Sequence, residues 1–374
     1  MNIYTERRKC MFCYHEKLTP LWEKNFEIPL GCYVIPTPET VCYSMPFNIL
    51  KCEGCKSYQT QYLGNVDIIY NYHANSHGTI RSTMDELFAA FITSNTNISN
   101  IMEIGGGNGG LSDIILEKQP KLNYTIVDPT YSGHMNGKTI LRNYFENIST
   151  DDIQVDTIVM SHVFEHFYEP SKILEKFNQC SSIRSIFLNL PDLESYIQQD
   201  NYHVLNPEHI FYVENQFIIK LFKKYGFTIK NIYYHQKHSV FFEFERYLDN
   251  ICNDTLINYK SETDVPQFFE RIFDKIHNIY EIIEQNSDKK VYIWPCSMHT
   301  IYLLSLGLNP DKITAVLDNA PHKIGQYLYG FKKICIPFNT ILTSIEPCIV
   351  ILNGGCYNQE IIDKGSDKIL FIKG

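Results

Sequence analysis

The stretch that decides the fold is Ile101-Met-Glu-Ile-Gly-Gly-Gly-Asn-Gly-Gly110. Its first four residues form a short apolar run typical of a buried strand, and residues 111–118 after it follow a helical pattern. Glycines between a strand and a helix allow tight turning and close approach of the backbone to a ligand at the helix N-terminus. The stretch therefore predicts a strand, a ligand-binding loop and a helix.

The residues around this loop continue the alternation of strands and helices. Strand-like runs at residues 124–127, 157–160 and 185–190 are separated by helical patterns, and a helix over 217–224 ends at Gly226. Residues 233–234 and 240–244 are expected to form a closing hairpin. The order predicts a doubly wound α/β fold. Its ligand would lie at the strand ends, where Asp128, Ser161, His162 and His166 stand.

The N-terminal segment carries two pairs of closely spaced cysteines, Cys10-x2-Cys13 and Cys52-x2-Cys55. Each pair places two thiolates on one tight turn, and two such turns complete a tetrahedral four-sulfur site for zinc. Because protein fills all four positions, the zinc is expected to be structural. The alternatives are four unrelated buried cysteines or a redox dithiol.

Composition and charge exclude several classes of protein. The net charge is -9 and the pI is near 5.8, with no long basic run, which disfavours nucleic acid as a partner. No apolar stretch is long enough to span a membrane, and no apolar segment follows the polar N-terminus as in a secretory signal. We therefore expect a cytoplasmic protein without a membrane partner. In that compartment the 12 cysteines are expected to be metal ligands or thiols.

The last third of the chain predicts a long helix and then a second α/β unit. Apolar residues recur at helical spacing from Phe269 to Ile283, and Pro266 suits a first helical turn. This helix is expected to pack between domains, with an oligomer seam as the alternative. Residues 289–374 return to short strands and helices.

Together these motifs resemble the three-part sugar C-methyltransferase family, which uses S-adenosylmethionine on nucleotide-linked keto-sugars. That family begins with a four-Cys zinc domain, as this chain does. An aromatic and serine-rich segment follows, matched by residues 70–76, and then a cofactor domain, matched by residues 103–110 and Asp128. A second nucleotide-binding-like fold carries an Asp-x-x-Pro-x-Lys-x-Gly run, matched from Asp318 to Gly325.

The resemblance implies an architecture of α/β class. A small zinc-binding domain would span residues 1–72, and a Rossmann-like class I methyltransferase domain residues 73–245. A helical linker would span 246–288, and a C-terminal Rossmann-like α/β domain on the substrate side 289–374. The implied cofactors are S-adenosylmethionine and structural zinc. The implied partner is a small molecule, a nucleotide-linked sugar, bound by a monomer or a dimer.

The resemblance also favours S-adenosylmethionine over a dinucleotide. In methyltransferases the acid before the glycine loop, here Glu103, lies beside the aminoacyl end of the cofactor, whereas a dinucleotide site needs room for a pyrophosphate. Asp128 alone would suit the ribose hydroxyls of either cofactor. The implied cofactor-binding residues are Glu103, Gly105, Gly107, Gly109, Asp128, Ser161 and His162.

The family carries a Tyr-His-Glu-His run after the fifth strand, where residues 206–209 read Asn-Pro-Glu-His. The Glu-His pair is kept, and the Tyr and the first His are changed. By this resemblance His209 is the predicted general base for the α-proton of the acceptor, and Glu208 would either orient it or bind sugar hydroxyls. Tyr72 and His166 are the candidate donors to the developing enolate oxygen.

The substrate half agrees with the family only in part. Residues 293–299 have no glycine turn, so the backbone cannot approach a phosphate there in the family's manner. Residues 353–358 replace a Trp-Asn segment of the family. Two alternatives stay open: an O- or N-methyltransferase on a sugar nucleotide or other small polar acceptor, and a non-catalytic zinc-containing binding protein on a methyltransferase scaffold. A zinc-ribbon RNA methyltransferase is disfavoured by the acidic charge.

Overall fold

A computed structural model describes residues 2–23, 25–31, 34–71, 79–201, 208–236, 238–247, 263–344, 346–355 and 358–374. Its elements fall into three successive groups along the chain, built around separate sheets. None of the helices described there has the length and apolar character needed to cross a membrane.

The N-terminal group consists of short strands and one helix. These are β1 Tyr4–Glu6, β2 Leu18–Pro20, β3 Phe26–Pro29, β4 Val34–Ile35, β5 Ser44–Phe47, β6 Ile49–Cys52, β7 Tyr58–Thr60, β8 Tyr62–Gly64 and α1 Val66–Asn71. β1 pairs with β8, β3 pairs with β5, and β6 lies between β2 and β7, all antiparallel. Strands this short are stable only when packed against other elements.

The central group is built on a seven-stranded sheet. Its elements are α2 Thr79–Thr93, β9 Asn100–Ile104, α3 Gly110–Lys118, β10 Asn123–Val127, β11 Lys138–Leu141, β12 Thr157–Ser161, α4 Pro170–Gln179, β13 Ser185–Pro191, α5 Leu193–Gln198, β14 Phe211–Tyr212, α6 Asn215–Lys224, β15 Phe227–His235 and β16 Ser239–Arg246. The sheet order is β11-β10-β9-β12-β13-β16-β15. β9 to β13 run parallel, and β16 runs antiparallel to both of its neighbours. The predicted doubly wound fold and closing hairpin are confirmed.

Two apolar layers cover this sheet. One contains Phe88 of α2 and Ile115 of α3, and the other contains Leu174 of α4 and Leu221 of α6. β12 is buried along its whole length, as expected of a parallel strand covered on both faces. Short β14 lies outside this sheet: it pairs with β7 and so completes the order β14-β7-β6-β2.

The C-terminal group is a second parallel sheet preceded by a long helix. Its elements are α7 Val265–Gln285, β17 Lys290–Trp294, α8 Met298–Ser305, β18 Ala315–Leu317, β19 Tyr327–Leu328, β20 Cys335–Ile336, α9 Asn339–Leu342, β21 Cys348–Leu352, α10 Asn358–Asp363 and β22 Ile369–Lys373. The sheet order is β20-β18-β17-β21-β22, and all of its pairs are parallel.

Helix α7 packs inside the chain, as the sequence led us to expect. Its apolar face, including Phe269, Ile272 and Ile276, shares one core with Phe47 of β5 and Ile293 of β17. β19 adds a second link, because it pairs antiparallel with β4 of the N-terminal group. The predicted α/β class is confirmed, whereas the exact domain boundaries stay a prediction.

Candidate functional site

The four paired cysteines lie together as the sequence predicted. The Sγ atoms of Cys10 and Cys55 are 3.5 Å apart, and so are those of Cys13 and Cys52. All four sulfurs lie within 4.8 Å of one another, and none is in a disulfide. Sulfurs around one tetrahedral zinc, each at ~2.3 Å from the metal, are about 3.8 Å apart. The donor set and its spacing therefore fit one zinc ion.

Both cysteine turns have the same backbone geometry. The residue after each pair, Tyr14 or Lys56, has a positive φ, of 60° and 62° respectively. Tyr14 N donates to Cys10 O at 3.0 Å, and Lys56 N donates to Cys52 O at 2.9 Å. Each turn thus folds back on its first cysteine and directs both thiols to one side.

Gln59 supports the cluster from β7. Its Nε2 donates to Cys10 Sγ at 3.3 Å, and its Oε1 accepts from Met11 N at 3.0 Å. Hydrogen bonds with Cys13, Cys52 and Cys55 hold the pKa of the Cys10 thiol far below its usual range. At least one sulfur is therefore readily a thiolate, the form that binds metal.

The glycine loop lies between β9 and α3, at the edge of the sheet where β9, β10 and β12 end together. Ile104 pairs with both Val127 and Met160, so the three carboxyl ends are level. Gly105 has a φ of 74°, and a Cβ there would lie 2.3 Å from Val163 Cγ2. Only glycine fits this position.

Asp128 follows β10 and faces the loop. Its Oδ2 accepts from Gly107 N at 2.8 Å, and its Oδ1 accepts from Thr130 N at 2.7 Å and Thr130 Oγ1 at 3.1 Å. The carboxylate is 6% exposed. It therefore shapes the loop and still presents lone pairs at the edge of the sheet.

Glu103 is buried at the end of β9, and its Oε2 accepts from the Tyr124 hydroxyl at 3.0 Å. Burial and the Glu103 charge raise the pKa of Tyr124 well above its usual value, so Tyr124 stays a donor. The acid before the loop is thus fixed in place by the neighbouring strand.

Ser161 ends β12 beside this loop, and His162 follows it. Asn189 Nδ2 donates to Ser161 Oγ at 3.1 Å, and His162 N donates to Asn189 O at 2.9 Å. His162 has a φ of 55°, which is uncommon for residues other than glycine although histidine adopts it more often than most. The structure therefore brings both predicted residues to the edge that carries Glu103 and Asp128.

The rings of His166, which follows β12, and His209, which precedes β14, lie next to each other. Their ring centroids are 5.2 Å apart. His166 Nδ1 lies 3.2 Å from Glu208 Oε2, and His209 Nε2 lies 3.9 Å from Glu165 Oε1. Three of the four predicted catalytic residues, Glu208, His209 and His166, are thus brought together. The fourth, Tyr72, lies outside the described residues, as do Asn206 and Pro207.

Glu165 belongs to this cluster, and the sequence analysis did not single it out. It is 3% exposed, and its Oε1 lies 3.3 Å from His162 Nδ1. Burial alone would raise its pKa, but the hydrogen bond with His162 and the charges of His166 and His209 lower it to about 2. The only signal in the sequence was its place between His162 and His166.

The histidine cluster is attached to the sheet of the cysteine cluster. Ile210 N donates to Glu165 O at 3.1 Å, and Thr60 N donates to Ile210 O at 2.9 Å. One residue later, Phe211 pairs with Gln59, the residue bonded to Cys10. The segment that carries His209 therefore leads directly into β14, a strand of the cysteine sheet.

In the C-terminal group, the Asp-x-x-Pro-x-Lys-x-Gly run forms an ion pair. Lys323 Nζ donates to Asp318 Oδ2 and to Cys296 O, both at 2.8 Å. This lysine thus joins the end of β18 to the glycine-free turn after β17.

The central group of elements is similar to a known protein family. Residues 72–232 match the model of a methyltransferase domain family. This match covers 161 of the 374 residues of the chain. The predicted enzyme class is confirmed for this domain, and the glycine loop, Asp128 and the histidine cluster all lie within it.

Several solved structures are similar to part of the chain. The chain is similar to TnmH, with 14% identity over 45% of this chain and 56% of that one, at a TM-score of 0.35. It is similar to the mitomycin 7-O-methyltransferase MmcR, with 19% identity over 45% and 55%, at 0.36. It is similar to BpumL, solved with a pentazolic desmethylPZN analog and SAH, with 10% identity over 45% and 84%, at 0.36. The match spans about half of TnmH and MmcR, and no curated protein matches the chain.

Proposed function

We propose that the chain is an S-adenosylmethionine-dependent methyltransferase that methylates a carbon beside the ketone of a nucleotide-linked deoxysugar. The observation that carries this proposal is the meeting of Glu208, His209 and His166 beside the cofactor edge of the methyltransferase domain. A carbon acid needs a base for its α-proton and a donor for the enolate oxygen, and the two imidazoles supply both.

The cofactor would be held by the glycine loop and Asp128, with Glu103, Ser161 and His162 nearby. A Cβ at Gly105 would occupy space against Val163, so the loop leaves room only for backbone at its turn. When bound, the cofactor supplies a methyl group activated by its sulfonium.

His209 is proposed as the base and His166 as the donor. His209 is 9% exposed, between Glu165 and the strand that begins at Phe211. Burial excludes water, which would otherwise compete for the proton. The sulfur site made by Cys10, Cys13, Cys52 and Cys55 is proposed to be structural zinc, because all four positions are filled by protein.

Product analysis tests the proposal. The chain is incubated with 13C-methyl S-adenosylmethionine and a panel of nucleotide-linked 4-keto-deoxysugars, and the products are examined by NMR. A new C-methyl resonance with loss of the α-proton is the expected result. An O- or N-methyl product would overturn carbon methylation in favour of the other methyl-transfer chemistry. Absence of S-adenosylmethionine binding by calorimetry at high micromolar concentration would instead indicate a non-catalytic scaffold.

A further inference from the structure

Glu165 lies at the centre of three histidines from two chain segments. Its Oε1 is 3.3 Å from His162 Nδ1, 3.9 Å from His209 Nε2 and 4.0 Å from His166 Nε2. His162 is held from its other side by Ser239, whose Oγ lies 3.4 Å from Nε2. One carboxylate oxygen thus faces three imidazole rings.

The other oxygen of Glu165 adds to the cost of burying this carboxylate in its ionised form. Oε2 is buried and has no hydrogen-bond partner in the part of the chain that the structure describes. A buried carboxylate is costly unless it is paired with an opposite charge. The charges that act on Glu165 are those of His162, His166 and His209, so its ionised form requires a protonated ring among them.

His166 is the ring placed between two carboxylates. Glu208 Oε2 faces its Nδ1 at 3.2 Å, and Glu165 Oε1 faces its Nε2 at 4.0 Å. Burial lowers the pKa of His166, but the bond with Glu208 and the charges of both acids raise it overall. The tyrosines facing Glu208 are Tyr70 of α1 and Tyr168, and burial raises the pKa of each, so both are neutral. The charge of Arg7 acts on Tyr168 in the opposite direction and lowers its pKa, but burial has the larger effect.

We propose that Glu165 is a positioning residue that keeps a proton on His166 and holds the rings of His162 and His209 turned toward its own carboxylate. The inference rests on the proposed function, since that function makes the cluster a methyl-transfer site. As a consequence, the two neighbouring rings of His166 and His209 have different roles. A charged His166 can donate to an enolate oxygen while His209 is left to accept the α-proton.

The test follows the titration of His166 in the full chain, without any acceptor. The protein is labelled with 15N-histidine, its 13 histidines are resolved by NMR, and the His166 signal is assigned with His166→Gln. We expect the pKa of His166 to fall by about 1 to 3 units in Glu165→Gln, the scale of a lost charge within 4–6 Å. Glu165→Asp restores the charge and should return part of the shift.

Glu243→Gln is the matched control. Glu243 is 2% exposed in β16 of the same domain, where it accepts from Asn95 and Lys230. It undergoes the same chemical change outside the histidine cluster, so the pKa of His166 should not move. Binding of S-adenosylhomocysteine by Glu243→Gln should equal that of the wild type, which shows that the cofactor site is intact in the control.

Two results would overturn the inference. The first is an unchanged titration of His166 in a folded Glu165→Gln protein. If that variant does not fold, Glu208→Gln takes its place, because the second carboxylate should also hold the proton. The second result is two zinc ions per chain with one lost in Glu165→Gln, since a metal would then occupy the place of the proton. Failure to detect methyl transfer would leave the NMR result unaffected, so the two proposals fail separately.

Discussion

At the scale of single residues, Asp128 combines two roles that the sequence alone could not separate. Its carboxylate accepts from Gly107 N and Thr130 N, and it also lies where ribose hydroxyls are expected. We predict that Asp128→Ala weakens S-adenosylmethionine binding by at least ~1.5 kcal/mol, the scale of a lost charged hydrogen bond. Isothermal calorimetry measures this. Asp152→Ala, an exposed acid of the same domain, should bind normally. Equal affinity in all three proteins would place the cofactor elsewhere.

His209 is the residue whose loss should affect turnover most. Positioned acid–base groups typically contribute ~10²–10⁴-fold, so His209→Ala should lose turnover in that range while S-adenosylmethionine still binds. The rate is measured on whichever sugar nucleotide is methylated by the wild type. His277→Ala removes an exposed histidine of α7 and should keep full activity. If His209→Ala also keeps most of its activity, the base is another residue, with His166 next.

Residues with a local signature could be singled out from the sequence. The spacing of Cys10 and Cys13 indicates shared ligation, and the glycine loop followed by Asp128 indicates a ligand edge. Glu165 has no such signature. Its importance depends on ring positions set by β12 and by the segment before β14, which meet only in the folded chain.

At the scale of elements, the two cysteine turns should depend on one metal ion. We predict one zinc per chain in protein purified without chelator, and well below one in Cys52→Ser, with disorder of the sheet β2-β6-β7. Structural zinc ligation contributes on the order of 10 kcal/mol to local folding. Cys42→Ser is the control, because Cys42 is a half-buried thiol outside the cluster. Metal analysis and circular dichroism decide, and zinc-free wild-type protein would contradict the prediction.

The glycine loop offers a second comparison between matched variants. Gly107 has a φ of 55° and Gly137 a φ of 71°, so a valine strains the backbone at either position. Gly107→Val should abolish S-adenosylmethionine binding because it fills the loop. Gly137→Val, where a Cβ meets only Leu116 at 3.7 Å, should cost stability alone. Thermal unfolding and calorimetry separate the two effects, and normal cofactor binding by Gly107→Val would refute the assignment of the loop.

In the central sheet β11, in which no residue is buried, was missed, whereas the other six strands were predictable from their apolar residues. The pairing of β14 with β7 and of β19 with β4 was not. These strands have two or three residues each, too few to show an alternation, and their partners are distant in sequence. Their pairing is therefore visible only in the structure.

At the scale of the whole molecule, zinc should stabilise the segment that carries the proposed base. The connection runs from Cys10 through Gln59 to β14, beside His209. Removing the metal with a chelator should accelerate amide hydrogen exchange at residues 58–60 and 210–212, because their ladder loses its support. Strand β21 in the second sheet is the internal control. Faster exchange confined to residues 10–55 would show that the two sites are independent.

The pairing of β14 with β7 also has a consequence for synthesis on the ribosome. Both cysteine turns leave the ribosome early, yet Ile210, which accepts from Thr60, is made 150 residues later. At ~5–20 residues per second that interval lasts roughly 8 to 30 seconds. During this interval the edge of β7 is not yet paired with β14, and an unpaired strand edge can pair with another chain and aggregate. A nascent chain that has already bound its metal would therefore have a folded sheet that lacks β14. Chaperones should bind mainly at this edge until the Glu208–His209 segment and β14 have been synthesised.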